Sequence, residues 1–262
     1  EVKTPNIQKL ANEGISFENM FTSTAMCAPT RQQIMTGLFP VRSGAYPNHS
    51  KVYDGVKSFA HHFGALGYEV ALIGKKHYGP AESYPINYLG GVQHDTGFDG
   101  IDIDLRKIQP VVSGDKPFFL IIAQNQPHSP WNRGDKSIYK PEDLTIPEYM
   151  VDSPLTREEL SNYYTEITYM DSLLGKTLDY VEQANKTNNT ISIFTSEQGY
   201  SFPYGKWTCY DLGLKTAFIA KWPGKIKANT RNKATTQYVD ILPSLLDAVG
   251  EDPDKINVGI SD

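Results

Sequence analysis

The sequence has few cysteines, no long apolar run and no excess of positive charge. Only Cys27 and Cys209 occur among 262 residues, so a disulfide framework cannot hold this chain together. No apolar run approaches the roughly 20 residues that a bilayer span needs. Because the 30 acidic residues outnumber the 25 lysines and arginines, the chain has no overall positive charge that could hold nucleic acid or an anionic membrane surface. An anionic substrate must therefore be held by a local site.

The pattern of apolar residues predicts an α/β fold, with a mostly parallel central sheet sandwiched by helices. Predicted strands cover 69–73, 118–123, 190–194 and 217–220. The second and third are rich in aromatic and β-branched residues, which indicates central strands. Predicted helices cover 5–12, 30–37, 56–66, 156–182 and 240–249. Long turn-rich stretches lie at 39–54, 79–99 and 129–154, and ligands of such sheets bind in loops at the carboxyl ends of strands.

The most informative stretch is CAPTRQQIMTG at 27–37, where Cys27 immediately precedes a helix opened by a proline. A helix start collects unpaired N–H groups and positive dipole, so it favours an anion or an anionic nucleophile. Arg31, one turn further on, would add a fixed positive charge. A lone cysteine is more often a small buried hydrophobe, and we interpret Cys209 in that way, as a packed residue without a redox partner. The residues around Cys27 favour chemistry instead.

The stretch resembles the activation motif of the sulfatase family, Cys-x-Pro-Ser/Thr-Arg continued by Thr-Gly, with Thr30 in place of the commoner serine. The resemblance implies that Cys27 is oxidised to formylglycine, whose hydrated aldehyde is the nucleophile. It also implies a maturation partner, either a formylglycine-generating enzyme or an anaerobic sulfatase-maturating enzyme.

Further segments resemble family motifs in the family's order. Their residues are Thr-Pro-Asn at 4–6, Gly-Lys-Lys-His at 74–77, Pro-His-Ser-Pro at 127–130, Glu-Gln at 197–198 and Lys-x-x-x-Tyr at 206–210. The resemblance implies catalytic roles for Cys27, Arg31, Lys75, His77, His128 and Lys206. It also implies one Ca²⁺ held by Cys27, Glu197 and Gln198, although the family usually has the shorter Asp-Asn or Asp-His there. Asp171 is interpreted as structural, tying the long helix to the sheet.

The resemblance implies a sulfuric ester or sulfamate hydrolase that removes sulfate from a sulfated carbohydrate. The 74–80 segment is closest to members of the heparan N-sulfatase (sulfamidase) type and shares features with bacterial polysaccharide sulfatases. We expect residues 1–262 to be an incomplete catalytic domain, cut at both ends, without the family's paired-aspartate strand and C-terminal subdomain. We expect an exported protein, in the bacterial periplasm or outside the cell, or in the lysosome if eukaryotic.

Three alternatives stay open from the sequence. A phosphatase or phosphodiesterase of the same superfamily would use serine or threonine with two zinc ions, and Cys27 in its full motif argues against it. A catalytically inactive relative that binds sulfated glycans is favoured by the Glu197-Gln198 replacement. The third alternative is an α/β scaffold without catalytic activity. It is disfavoured because the motifs occur in the same order as in the sulfatase family.

Overall fold

The computed structural model describes residues 2–91 and 103–260. Its strands are β1 (Ile15–Phe21), β2 (Glu69–Gly74), β3 (Asn87–Tyr88), β4 (Phe118–Ala123), β5 (Ser192–Thr195), β6 (Lys215–Lys221) and β7 (Thr230–Gln237). Its α-helices are α1 (Pro5–Glu13), α2 (Cys27–Thr36), α3 (Pro40–Ser43), α4 (Phe59–Ala65), α5 (Gln109–Ser113), α6 (Pro154–Gln183), α7 (Asp211–Leu214) and α8 (Ile241–Ala248). Positions 92–99 of the predicted 79–99 loop lie outside the described residues.

The strands form two hydrogen-bonded sheets among the described residues. One has the order β5-β6-β1-β7 and the other the order β3-β2-β4. The pairs β2·β3, β2·β4 and β1·β7 are parallel, whereas β1·β6 and β5·β6 are antiparallel. The predicted α/β class with a mostly parallel arrangement is confirmed.

Helices cover both faces of β4, which explains its wholly apolar sequence. Phe119 and Ile121 pack on the cluster that contains α4 and α8 side chains, and the Phe59 and Phe119 rings stack at 4.5 Å between centroids. On the opposite face, Leu120 and Ile122 pack with side chains of α5 and α6. A strand covered on both faces has no reason to alternate apolar with polar residues.

The prediction that β4 and β5 are central strands is wrong for the sheets as hydrogen-bonded. Each lies at the end of its strand order among the described residues. The apolar composition of a strand indicates that both of its faces are covered. It does not indicate whether the strand pairs with one neighbouring strand or with two.

Asp171 on α6 is structural, but its partner is a helix instead of the predicted sheet. Its carboxylate accepts the backbone N–H groups of Asn6 at 3.0 Å and Ile7 at 2.7 Å, and the Asn6 side-chain amide at 2.8 Å. These are unpaired donors of the first turn of α1, and a carboxylate there also complements the helix dipole. Asp171 therefore ties α6 to the start of α1.

Among the described residues, no helix combines the length and apolar character that crossing a membrane requires.

Candidate active site

Helix α2 places Cys27 in its first turn, buried to 1% exposure. The prediction began this helix at residue 30, after the proline, and the structure begins it three residues earlier. Proline is compatible with the first turn because the N–H that it lacks would have no partner there. Cys27 therefore belongs to the helix start itself.

Arg31, Lys75 and Glu197 converge beside this helix start from three different elements. Arg31 comes from α2, Lys75 directly follows β2, and Glu197 follows β5. Arg31 Nε pairs with Glu197 Oε1, and Arg31 Nη1 donates to the Lys75 carbonyl at 3.0 Å. The Lys75 ammonium is 2% exposed and lies 4.0 Å from Glu197 Oε1. The carboxyl ends of two strands thus meet the start of one helix at a charged, mostly buried cluster.

The charges of this cluster are strongly coupled. Burial alone would raise the pKa of Glu197, but the charges of Arg31, Lys75, Lys206 and His77 outweigh it and lower that pKa to about 2. Burial lowers the pKa of Lys75, and Glu197 and Cys27 partly oppose that shift. Because three cationic side chains face one carboxylate, the site has the excess positive charge that suits an anionic ligand.

Gln198 lies next to Cys27. Its Nε2 is 4.0 Å from the sulfur of Cys27, and its Oε1 is buried with no hydrogen-bond partner among the described residues. A buried amide oxygen without a donor is a suitable ligand for a hard cation. Gln198, which the sequence predicted as a metal ligand, therefore lies beside Cys27 and has a buried amide oxygen that could bind a cation.

The donor set fits only part of a calcium site. Calcium takes about six to eight oxygen ligands, and the described residues contain no group of three or more His, Cys, Asp or Glu side chains able to hold a metal ion. The Glu197 carboxylate is already engaged by Arg31 and Lys75. The thiol of Cys27 is a soft ligand that calcium does not prefer, so position 27 fits this cation only as an oxygen group.

Lys206 is held on a loop that is hydrogen-bonded to the residues just before Cys27. The Trp207 N–H donates to the Ala25 carbonyl at 2.9 Å, and the Lys206 N–H donates to the Tyr200 carbonyl at 2.8 Å. The Lys206 ammonium lies 5.0 Å from the centroid of the Trp207 ring and acts electrostatically on Glu197. Lys206 thus belongs to the charged cluster and is partly exposed.

His77 and His128 lie on the loops that follow β2 and β4. The charge of His77 acts on Glu197, which places this ring at the cluster. The Nδ1 of His128 lies 2.7 Å from the Ser129 carbonyl in its own loop. That loop is connected to the Lys206 loop by Trp131, whose ring stacks on Phe202 with centroids 5.1 Å apart.

Two outcomes were not anticipated from the sequence. Cys209 is exposed, so its interpretation as a packed residue is wrong; it lies on the same loop as Lys206. His49 was not singled out, yet its Nδ1 lies 2.9 Å from Nε2 of His77. The only available signal was the length of the 39–54 loop that carries it.

Comparison with known proteins agrees with these motifs. The family model described as Sulfatase matches residues 1–251. An ulvan-active sulfatase of Formosa agariphila is 31% identical over 260 residues, covering 95% of this chain and 50% of that protein. The N-sulphoglucosamine sulphohydrolase of Homo sapiens is 28% identical over 281 residues, covering 94% of this chain and 56% of that protein. The chain thus spans about half the length of these relatives.

A solved structure from a study of glycosaminoglycan metabolism by Bacteroides thetaiotaomicron shares the fold. Its TM-score is 0.86 at 21% identity, over 98% of this chain and 67% of that chain. The family model covers the segments that carry Cys27, Lys75, His128, Glu197 and Lys206. The chain belongs to the sulfatase family.

Proposed function

We propose that the protein is a hydrolase that removes sulfate, as an ester or a sulfamate, from a sulfated carbohydrate. The observation that carries the proposal is the buried Cys27 at the start of α2, with Arg31 and Lys75 beside it. Such a position combines a nucleophile site with fixed positive charge, which stabilises negative charge as it develops on the reacting oxygens. Support for the substrate class comes from the relatives, which are named for ulvan and for N-sulphoglucosamine.

Modification of Cys27 to formylglycine would supply a hydrated aldehyde, which has two hydroxyl groups on one carbon, one to attack sulfur and one to expel sulfate. Arg31 and Lys75 would stabilise negative charge at position 27. His128 and Lys206 would bind the sulfate and give a proton to the departing oxygen or nitrogen. His77 would accept the proton of the second hydroxyl, so that the bond to sulfate breaks and the aldehyde is restored.

Glu197 and Gln198 would hold part of a calcium site. When bound, Ca²⁺ would supply positive charge to the sulfate oxygens. Its protein donors would be the Gln198 amide oxygen, the Glu197 carboxylate and, once Cys27 is modified, an oxygen group at position 27. We further propose a formylglycine-generating or anaerobic maturating enzyme as its partner, because an unmodified thiol cannot perform the second half of the reaction. We also propose that the protein is exported.

The test is release of inorganic sulfate by the full-length protein, produced together with a maturation enzyme. N-sulfoglucosamine and sulfated ulvan and heparan oligosaccharides form the first substrate panel, and phosphate monoesters and diesters form the control panel. Turnover of a sulfated member supports the proposal. Turnover confined to the phosphate esters would contradict it and favour the phosphatase alternative.

A second candidate, a sulfated-glycan-binding protein without turnover, is favoured by one observation. Arg31 and Lys75 already engage Glu197, the residue proposed to hold calcium. Binding of the same oligosaccharides without sulfate release, from protein in which residue 27 is modified, would support this candidate.

A further inference from the structure

His49 and His77 form a pair of imidazole rings whose outer member has no role in the proposed reaction. Nε2 of His77 lies 2.9 Å from Nδ1 of His49, and the ring centroids are 4.7 Å apart. His49 is exposed, whereas His77 is partly buried and acts on Glu197. The pair therefore extends from the charged cluster to the protein surface.

The two loops that carry these rings are fastened to the helix that carries Cys27. Gln32 of α2 is fully buried; its Nε2 donates to the Ser50 carbonyl at 3.0 Å, and its Oε1 accepts the Gly79 N–H at 3.3 Å. The Val52 N–H also donates to the Gly79 carbonyl at 2.9 Å. Since these bonds lie within a few residues of His49 and His77, the separation of the two rings is set by α2.

Both histidines also have strained backbone conformations. The φ angle is 64° at His49 and 50° at His77, in the left-handed region that costs about 1–2 kcal/mol per non-glycine residue. Such strain persists only where surrounding contacts enforce it, and it clusters at functional sites. Here it occurs at both residues of a contacting pair of imidazoles.

The hydrogen bond between the rings has a chemical consequence for His77. A neutral imidazole has one N–H and one lone pair, so the bond made by one nitrogen determines what the other can do. If Nε2–H of His77 donates to Nδ1 of His49, the lone pair of His77 is on Nδ1, which is buried. Nδ1 is then the nitrogen through which His77 can accept a proton as a base.

We propose that His49 is a positioning residue that holds His77 in the tautomer with its lone pair on the buried Nδ1. The inference rests on the proposed function, because His77 acts there as the base. In that step the proton of the second hydroxyl at position 27 moves to Nδ1 of His77, and the released electron pair restores the aldehyde as sulfate departs. Throughout, Nε2–H stays donated to Nδ1 of His49, and no further reactant is needed.

The test compares His49→Gly with His49→Asn in the full-length, maturated enzyme. Glycine adopts φ near 64° without strain and removes the ring. Asparagine tolerates the same φ, and its Oδ1 can accept where Nδ1 did. We expect His49→Gly to lower kcat about 10- to 100-fold with KM little changed, and His49→Asn to recover most of that loss. A Gly variant with wild-type kcat, or an Asn variant as impaired as Gly, would overturn the inference.

A second readout is independent of turnover. The ¹⁵N shifts of the imidazole nitrogens identify the tautomer of each neutral ring, and His61 supplies an internal reference because its Nδ1 accepts the Ser58 N–H at 3.3 Å. We expect His77 to match His61 in the wild type and to become a tautomer mixture in His49→Gly. An unchanged His77 tautomer in that variant would contradict the positioning role.

The two readouts separate failure of the inference from failure of the proposed function. A wild type that releases no sulfate from any substrate defeats the proposed function, and the tautomer of His77 still decides the role of His49. An active wild type combined with an unaffected His49→Gly variant defeats the inference alone.

Discussion

The two sides of the site are built differently. Around the proposed nucleophile, Cys27 and Lys75 are 1% and 2% exposed and lie at the start of a helix and directly after a strand. Lys206 and Trp207, by contrast, lie on an irregular loop, and Trp207 is 69% exposed. Under the proposed function, the groups that need a fixed reactive geometry are thus on rigid elements, and the groups proposed to meet the substrate are on open loops.

If this contrast is correct, the largest effect should follow a change of the nucleophile. Cys27→Ser should lower turnover by about 10⁴-fold or more, because a serine hydroxyl leaves no second hydroxyl to expel sulfate. The exposed Cys209 provides the matched control. Cys209→Ser should leave both sulfate release and thermal stability at wild-type values, and sulfate release by Cys27→Ser near the wild-type rate would refute the role of Cys27.

A smaller loss is expected on the substrate side. His128→Ala should lower kcat by about 10²- to 10⁴-fold, the usual contribution of a general acid, while the melting temperature stays near that of the wild type. Ser129→Ala is the control, since the oxygen near His128 Nδ1 is the Ser129 backbone carbonyl and survives this substitution. Unchanged turnover in His128→Ala would remove this residue from the site.

The pH dependence of the free energy of unfolding tests the buried ion pairs of Glu197. The pKa of Glu197 is about 2 in the folded protein against an ordinary 4.5, so its ionisation stabilises the fold above pH 4.5. That stabilisation, about 3 kcal/mol, is lost as the pH falls from about 4.5 to about 2. Urea unfolding across this range should therefore show a shallower pH dependence for Glu197→Gln than for the wild type.

Glu148→Gln supplies the control for that titration, because Glu148 is exposed. It should follow the wild-type pH dependence. If Glu197→Gln also follows it, the carboxylate is not held by Arg31 and Lys75 as described.

The smallest effect is expected at Trp207. Its φ is 69°, so Trp207→Gly relieves strain and keeps the N–H bond to Ala25, and stability should change by less than about 1 kcal/mol. Loss of the ring near Lys206 should weaken binding of a sulfated oligosaccharide about 2- to 5-fold. Tyr204→Gly is the matched control, an exposed aromatic with φ 65° whose described ring contacts are Tyr149 and Tyr210. A weaker oligosaccharide affinity of equal size in both variants would argue against a specific Lys206–Trp207 contribution.

The sequence predicted the elements that have a strong pattern and missed those whose pattern is broken. β4 was found because both of its faces are apolar. β1 was missed because a register shift between Phe17 and Met20 interrupts its alternation. β7 was missed because Thr230–Gln237 is polar along its length and is placed by backbone pairing with β1.

The same distinction applies to the site. Lys75 and Glu197 could be predicted together because each follows a strand in a recognisable motif. The contact of His49 with His77 depends on how Gln32 fastens two distant loops, which no local pattern encodes. The ion pair between Arg31 and Glu197 likewise became visible only in three dimensions.

The most direct test of the account is the mass of the proteolytic peptide that contains residue 27, from full-length protein produced with its maturation machinery. We expect the thiol to be replaced by an aldehyde or its hydrate. An unmodified cysteine under those conditions would contradict the proposed nucleophile and favour a protein that binds sulfated glycans without hydrolysing them.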